Sequence, residues 1–538
     1  MIENFALPKS ILQPGLVTLQ SSPVFFNNKW LTTLISLLCG AVSVLAFAPF
    51  GFWMLLPVTL ALFFVVLYYS QTSASSFRSG YFFGVGLFGA GIYWIYFSLH
   101  LFGGAIAAIA ALGTFLFVLF LALYPAFLAM LLHRFKHHSG WFFLTVPSMW
   151  VLFEWLRSWL LTGFPWLSAG YSTIHSPLAG YAPVGGVFLS SLALVLCGGL
   201  LAWCLCRRTL VSALVALCSI VVIAAGGYGL KQVQWTQPVQ DRTVEVTMVQ
   251  GNIAQELKFQ PNLLEDSIEL YSALSDTGAE LVIWPESAIP TVYSDLAEWE
   301  VNFAESLAQK GTTVISGGFT SNEDFSLYFN AIKVLNGTED QVYVKRHLVP
   351  FGEYTPFRNI LTKLAEYITI PMSDLSPGSG PIKPITVNGV NYGMSICYED
   401  AFGSEMRAQF PESNVLINVS NDAWFGDSTA PHQHQEIAAM RSLEFGRPML
   451  RVTNTGITSL IDYRGHVVQR GSQFEAVALD VAVTPREGST PFVTLGDWLA
   501  VLLATAMLIA GWLLGRRANA DDPRTQSLRK TIEHDANR

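Results

Sequence analysis

The chain has 538 residues, too many for one ordinary domain, and only 13% are charged while 51% are hydrophobic, against the ~25% charge of soluble globular proteins. Its net charge of −8 excludes a nucleic-acid binder that works through a broad basic surface. Two compositions are joined here: residues 30–230 and 496–514 are mostly apolar, whereas 235–490 reads as ordinary soluble α/β chain.

A bilayer core of ~30 Å takes about 20 apolar residues per helix. Runs of that kind predict about eight spans, at 31–49, 53–69, 80–98, 105–132, 141–162, 184–206, 210–230 and 496–514. The first lies too deep in the chain, and has the wrong flanks, for a cleaved signal peptide. Basic residues cluster before the first run (Lys9, Lys29), after the second (Arg78), the fourth (Arg134, Lys136) and the sixth (Arg207, Arg208), and beyond the last (Arg516, Arg517, Arg524, Arg529, Lys530). The alternate loops carry almost none, so the positive-inside rule predicts both termini in the cytoplasm. By parity, the long segment between the seventh and eighth spans lies on the other face.

The fifth run carries Glu154 and Arg157 at a spacing that shares one helical face. Charge at membrane depth is costly and marks function, unless the pair snorkels to the headgroups. The loop after it, Thr162-Gly-Phe-Pro-Trp-Leu-Ser168, is aromatic and uncharged, suited to the headgroup level beneath the soluble domain. Cys39, Cys197, Cys204, Cys206 and Cys218 lie in apolar runs, where cysteine acts as a small hydrophobe. Cys204 and Cys206 lack the spacing and histidine partners of a zinc site. The soluble part holds Cys397 alone and so forms no internal disulfide.

From residue 243, short β-branched runs alternate with amphipathic stretches. Strands are predicted at Thr243–Val249, Leu281–Trp284, Thr312–Gly317, Gln341–Val344, Tyr392–Ile396, Val415–Val419 and Met449–Thr453, with helices at 262–275, 295–310, 401–409 and 432–445. That alternation predicts an α/β sheet with helices packed outside. Three ionisable residues follow strand ends, where open α/β folds place their sites: Glu286 after Leu281-Val-Ile-Trp-Pro285, Lys345 after Gln341-Val-Tyr-Val344, and Cys397 after Tyr392-Gly-Met-Ser-Ile396. Alone, a cysteine after a buried strand is core filler and a lysine a solvated charge. Together they offer a nucleophile, a base and a cation for an oxyanion, the needs of thiol acyl transfer.

Trp284-Pro-Glu-Ser287, Lys345-Arg-His-Leu-Val-Pro-Phe-Gly-Glu-Tyr354 and Ile396-Cys-Tyr-Glu399 resemble the signature segments of the apolipoprotein N-acyltransferases, the membrane-bound branch of the nitrilase superfamily. Ser420-Asn-Asp-Ala-Trp-Phe-Gly426, the stretch from Arg441 through Glu444, Gly446, Arg447, Pro448 and Arg451 to Asn454-Thr-Gly456, and Phe47-Ala-Pro-Phe50 extend the resemblance over nearly the whole chain. It implies a multi-pass α-helical membrane domain of about eight helices plus an α/β nitrilase-like αββα sandwich. The parts are a cytoplasmic segment 1–30, a membrane domain 31–232 with about seven spans, a catalytic domain 233–492, a final span 493–515 and a cytoplasmic tail 516–538.

In a bacterial inner membrane that puts the catalytic domain in the periplasm, without ATP or coenzyme A. The resemblance makes Glu286, Lys345 and Cys397 the triad. Glu353 is the supporting glutamate, and Tyr398 and Glu399 flank the nucleophile. No cofactor or metal is implied. Cys397 takes an acyl chain from a phospholipid, typically phosphatidylethanolamine, as a thioester. The α-amino group of an S-diacylglyceryl-cysteine apolipoprotein then takes it from the thiol. One departure is Lys258-Phe259, where the family commonly has Lys-Trp, so an indole N–H is missing.

Two rivals remain. A membrane-tethered nitrilase-type amidohydrolase would pass the acyl group to water with the same triad. A transporter with a soluble binding module is disfavoured by the scarcity of buried charges and the lack of an inverted repeat. His432 and His434 open a helix without ligands at metal spacing. Arg441, Glu444, Arg447 and Arg451 read as one structural ion network. Gly317-Gly318 is too short for a phosphate loop. Phe351, Trp424 and Phe425 lie in loops, facing lipid or core.

Overall fold

A computed structural model of the protein describes residues 24–136, 142–335, 341–354 and 374–520. The predicted terminal segments up to residue 23 and beyond 520, with Lys9, Arg524, Arg529 and Lys530, lie outside the described residues.

The apolar runs form α1 (Lys29–Ser43), α2 (Leu55–Tyr69), α3 (Ser73–Gly91), α4 (Ala107–Leu121), α5 (Leu123–Lys136), α6 (Phe142–Arg157), α7 (Ala182–Arg207) and α8 (Leu210–Gln232). α1 and α3 approach so closely that a Cβ on Gly40 or Gly86 would strike the partner's backbone. Small residues at such crossings allow the backbone contact that holds helices together in lipid.

Three runs depart from expectation in detail. The 105–132 run remains one apolar stretch, Ala107–Arg134, with a local turn at Ala122 where α4 gives way to α5, three residues before Pro125, which has no N–H to donate. The 80–98 run starts earlier, where Thr72 and Ser75 form a capping box, and bends by 61° after Gly91 into Ile95–Phe102. The 141–162 run stops at Arg157, where the chain turns through Leu161 and Thr162 at positive φ.

The soluble domain is two six-stranded sheets face to face. β1 (Thr236–Pro238) stands apart. β2 (Val244–Gln250), β3 (Leu281–Ile283), β4 (Thr313–Ser321), β5 (Tyr328–Leu335) and β6 (Val342–Val344) form the first sheet. β7 (Ile385–Val387), β8 (Val390–Ile396), β9 (Val415–Ser420), β10 (Met449–Thr453), β11 (Ser459–Ile461) and β12 (Val467–Arg470) form the second. β13 (Val477–Val483) returns to the first sheet beside β2, and β14 (Arg486–Gly488) pairs with β1. Strands β2, β3 and β4 run parallel, as do β8, β9 and β10. Alternate residues of the two sheets, such as Val246, Met248 and Ile283 against Met394, Ile396 and Ile417, fill the layer between them.

Helices α9 (Leu264–Leu274) and α10 (Ala297–Lys310) flank the first sheet, their apolar faces meeting Trp284, Val314 and Leu335. The outer helix of the second sheet is α11 (Ala430–Phe445). Residues 401–409, predicted as one helix, form a single α-turn at Gly403–Met406 that runs on into a 3-10 turn at Arg407–Gln409, set off from the preceding turn by the non-helical backbone of Phe402. The last apolar helix, α12 (Trp498–Ala520), packs back against α6 and α7.

Helix α11 is buried on every side, because its far face meets the membrane helices. The Gln433 amide oxygen accepts from Trp94 Nε1 at 3.2 Å and Trp166 Nε1 at 2.7 Å. Helix α7 breaks at Gly185-Gly186, where Gly186 has φ 71° and no room for a Cβ beside the Phe492 ring. The break frees Val187 N–H, which donates to Glu444 at 2.7 Å. Glu154 and Arg157 are buried within the protein instead of reaching headgroups. Glu154 accepts from Trp150 and from Ala169 N–H, while Arg157 donates to the carbonyls of Phe164 and Trp166 and to Ser168. These charges fasten the aromatic loop, which meets the catalytic domain through Tyr398 donating to the Gly163 carbonyl at 3.2 Å.

Candidate active site

Each predicted group sits just past a β-strand, and three segments bring them to one buried cluster. After β3 the chain turns so that Glu286 points inward, 7% exposed. Gly317 of β4 lies against its backbone, with no room for a side chain. That contact, with the Tyr293 ring packed tightly on Gly318, explains the Gly317-Gly318 pair better than any phosphate loop. One Glu286 oxygen accepts from Asn330 at 2.7 Å and faces Lys345 Nζ at 3.5 Å, and the other accepts from Asn421 N–H at 2.8 Å. Its carbonyl accepts from Lys258 Nζ at 2.9 Å.

Lys345, 1% exposed, follows β6 and pairs with Glu353 at 2.8 Å. Burial works against its charge, but Glu353 and Glu286 outweigh burial and hold the ammonium above the ordinary lysine range. Asn330 also donates to Glu353 at 3.0 Å, and Val349 N–H fixes that carboxylate at 2.9 Å. Lysine and two glutamates are thus tied into one unit through a single amide.

Cys397 ends β8 in a left-handed turn, φ 51°, 9% exposed. Its thiol lies within electrostatic reach of Glu286 and Lys345. Burial pushes the thiol up, Glu286 adds to this, and Lys345 opposes it. The thiol is therefore protonated at rest, and its proton must leave before attack. Its carbonyl is held by Asn418 and His434, each at 3.2 Å. Glu399 braces the turn from within. It accepts from Ile396 N–H at 2.8 Å, Arg346 N–H at 2.7 Å, His347 N–H at 3.2 Å and the Tyr343 hydroxyl at 2.9 Å. Burial raises its carboxyl against these bonds.

The family model for the apolipoprotein N-acyltransferase N-terminal domain matches residues 39–200, and that for carbon-nitrogen hydrolases matches 245–488. The apolipoprotein N-acyltransferase of Vibrio cholerae is 37% identical over 92% of this chain and 99% of its own length. The enzyme of that name from Methylococcus capsulatus is 40% identical over 90% and 97%. The chain belongs to the apolipoprotein N-acyltransferase family. Among solved structures, the carbon-nitrogen hydrolase of Helicobacter pylori is similar at TM-score 0.33 and 14% identity, over 50% of this chain and 94% of that one.

Beneath Cys397 lies a network that the local sequence pattern does not reveal. His434 bonds Asp400 and Asp422, both at 3.0 Å. Arg451 closes the ring to Asp422 at 2.9 Å and Asp400 at 3.4 Å, and also donates to Asn418 at 2.6 Å. Burial and Arg451 oppose charge on His434, yet the two aspartates hold its pKa up to about 9. The expected single network of Arg441, Glu444, Arg447 and Arg451 is three separate arrangements. Arg441 pairs with Glu444, Arg447 donates to the Ser413 and Gly488 carbonyls, and Arg451 joins His434. Helix α11 ends at Gly446, so residues after it point into the sheet while those before it face α7.

Asn330, which donates to Glu286, is a buried contact that motif reading passes over, while Lys258, met there only beside Phe259, donates to the Glu286 carbonyl. A polar side chain at a buried place in β5 is the available signal for Asn330. Phe259 packs near Phe319 with rings 6.3 Å apart. Phe425 meets Trp94 at 4.8 Å and Trp424 accepts a bond from Ser98 on its carbonyl, so both lie against membrane-domain residues. Phe351 is exposed.

Proposed function

We propose that this chain, a bacterial membrane acyltransferase, moves an acyl chain from a phospholipid through a thioester on Cys397 to the N-terminal amine of an S-diacylglyceryl-cysteine apolipoprotein. The observation that carries the reading is the Glu286–Lys345–Cys397 cluster, set in a domain whose α11 is packed on membrane helices. Glu286 takes the thiol proton as Cys397 attacks the ester, returns it to the leaving alkoxide, and later deprotonates the incoming ammonium. Lys345, with the Tyr398 N–H, stabilises the tetrahedral oxyanion. Such a donor contributes ~3 kcal/mol in the transition state. Glu353 and Asn330 keep Lys345 charged and aimed, while Glu399 holds the Cys397 turn. Both substrates carry acyl chains, and extracting one costs ~0.8 kcal/mol per CH₂, which favours a site at the bilayer. Phosphatidylethanolamine is the donor we infer, with the catalytic domain (233–492) in the periplasm and both termini cytoplasmic.

The test uses full-length protein in detergent with phosphatidylethanolamine and a synthetic S-diacylglyceryl-cysteine peptide, read by mass spectrometry. One acyl mass on the peptide, and a thioester on Cys397 when the peptide is omitted, are expected. Free fatty acid with unmodified peptide would instead make the protein a hydrolase.

A further inference from the structure

Where the catalytic domain meets the membrane helices lies a cavity of about 410 Å³ whose walls do not include Cys397. It has the volume of an ordinary small-ligand pocket. One side comes from Ala401–Glu405, Arg407 and Arg441 of the catalytic domain, the other from the end of α6 and the start of α12. Three tryptophans frame it. Trp155 lies 5.4 Å from Trp159 and 5.8 Å from Trp498, ring to ring. Trp159 is 49% and Trp498 58% exposed. Tryptophans so exposed at the ends of apolar helices mark headgroup depth. Leu160 and Leu161, exposed beside Trp159, continue an apolar rim outward.

The wall is charged in both senses, with Arg407, which also holds the Val493 and Thr494 carbonyls, and Arg441 beside Asp497 and Glu405, the last bonded by His347 at 2.9 Å. Arg441 is 2% exposed, and although one nitrogen bonds Glu444 at 2.9 Å, its Nε has no partner among the described residues. Glu444 Oε2, fully buried behind it, is also without one. Buried polar groups left in that state cost free energy that a bound polar ligand removes. A simple anion would meet the carboxylates and a simple cation the guanidiniums, whereas a group carrying both charges matches the wall.

We propose that this cavity binds the phosphate–ammonium headgroup of a zwitterionic glycerophospholipid, the phosphate toward Arg407 and Arg441 and the ammonium toward Glu405 and Asp497. The occupant is a lipid because the rim is built for a bilayer: exposed tryptophan and leucine frame a polar interior. The seat is separate from the thioester site and stands or falls independently of the role of Cys397.

The experiment is native mass spectrometry of the full-length protein in detergent with phosphatidylethanolamine, with phosphatidylglycerol, or with soluble phosphoethanolamine. Ser404 lines the cavity at its exposed edge, so Ser404→Trp fills the space while leaving Arg441 itself unreplaced. The wild type should retain phosphatidylethanolamine roughly tenfold better than phosphatidylglycerol, the ratio of one charge-assisted contact. Ser404→Trp should lose that retained lipid with its unfolding midpoint unchanged, and the Glu405→Gln/Asp497→Asn pair should bring the two lipids towards parity. Equal retention of both lipids by the wild type, or full retention by Ser404→Trp, overturns the proposal. Displacement of the lipid by soluble phosphoethanolamine overturns the choice of a lipid. Thioester on Cys397 is read in the same spectra, so failure of the acyl-transfer reading appears as a separate result.

Discussion

Replacing His434 by Gln isolates the ion network under the nucleophile. In the native protein the imidazolium sits between Asp400 and Asp422, 3.0 Å from each, with Arg451 as the second cation. Glutamine leaves two buried carboxylates facing one guanidinium, and breaking a buried pair costs about 3–5 kcal/mol. The cost depends on pH with a definite sign. The folded His434 pKa is held up to about 9, above the ordinary ~6.5, so its contribution is full below ~6.5 and is lost as pH rises through the folded value. That gap corresponds to about 3 kcal/mol. The assay is denaturant unfolding of detergent-solubilised wild type and His434→Gln at several pH values. The difference between the two is the relevant quantity, because other groups titrate in the same window. The wild-type advantage should be about 3–5 kcal/mol at pH ~6 and shrink by about 3 kcal/mol by pH ~9.5. An advantage under about 1 kcal/mol at pH ~6, or one constant with pH, would refute the charged network.

Four further outcomes follow from the same geometry. Cys397→Ala should form no thioester while keeping its unfolding midpoint, checked by intact mass and thermal unfolding. Glu353→Gln removes the carboxylate 2.8 Å from Lys345, and should destabilise the fold by about 3–5 kcal/mol and slow thioester formation; unchanged acylation kinetics would refute its role. Burial pushes Lys258 down to about 7 against the pull of Glu286. The unfolded chain therefore holds a proton that the folded chain lacks between pH ~7 and ~10, and stability from this group rises with pH there. Lys258→Met should remove that rise in denaturant unfolding. Gly186→Ala forces a side chain into φ 71° beside Phe492, and should lower the unfolding midpoint by an amount equivalent to more than about 1 kcal/mol.

Seven strands were legible as short apolar runs, three of them leading into Glu286, Lys345 or Cys397, whereas β1, β5, β7 and β11 to β14 went unpredicted. The membrane helices were legible from apolar length, but their interruptions were not. Gly185-Gly186 and the Ala122 junction keep an apolar composition, and hydropathy does not record a break in backbone geometry. The ion network was hidden for another reason. Asp400, Asp422, His434 and Arg451 come from four segments, and each looks locally like a cap, a loop acid or a surface charge. Only the parallel register of β8, β9 and β10 brings them together. Glu154 and Arg157 were noticed as a charged pair, yet their bonds run to the loop that follows, whose conformation no periodicity encodes.

Helix α11 is a wall shared between two solvents. One face closes the second sheet and the other is finished by membrane helices, so a catalytic domain cut free at residues 233–492 would expose a surface made for α7, Trp94 and Trp166. Helix α12 emerges from the ribosome after the whole catalytic domain, yet it lies against α6 and α7 and lines the junction. Synthesis order therefore matters: this junction is complete only once α12 has been made, and a protein stalled short of residue 498 would present the unfinished face to proteases.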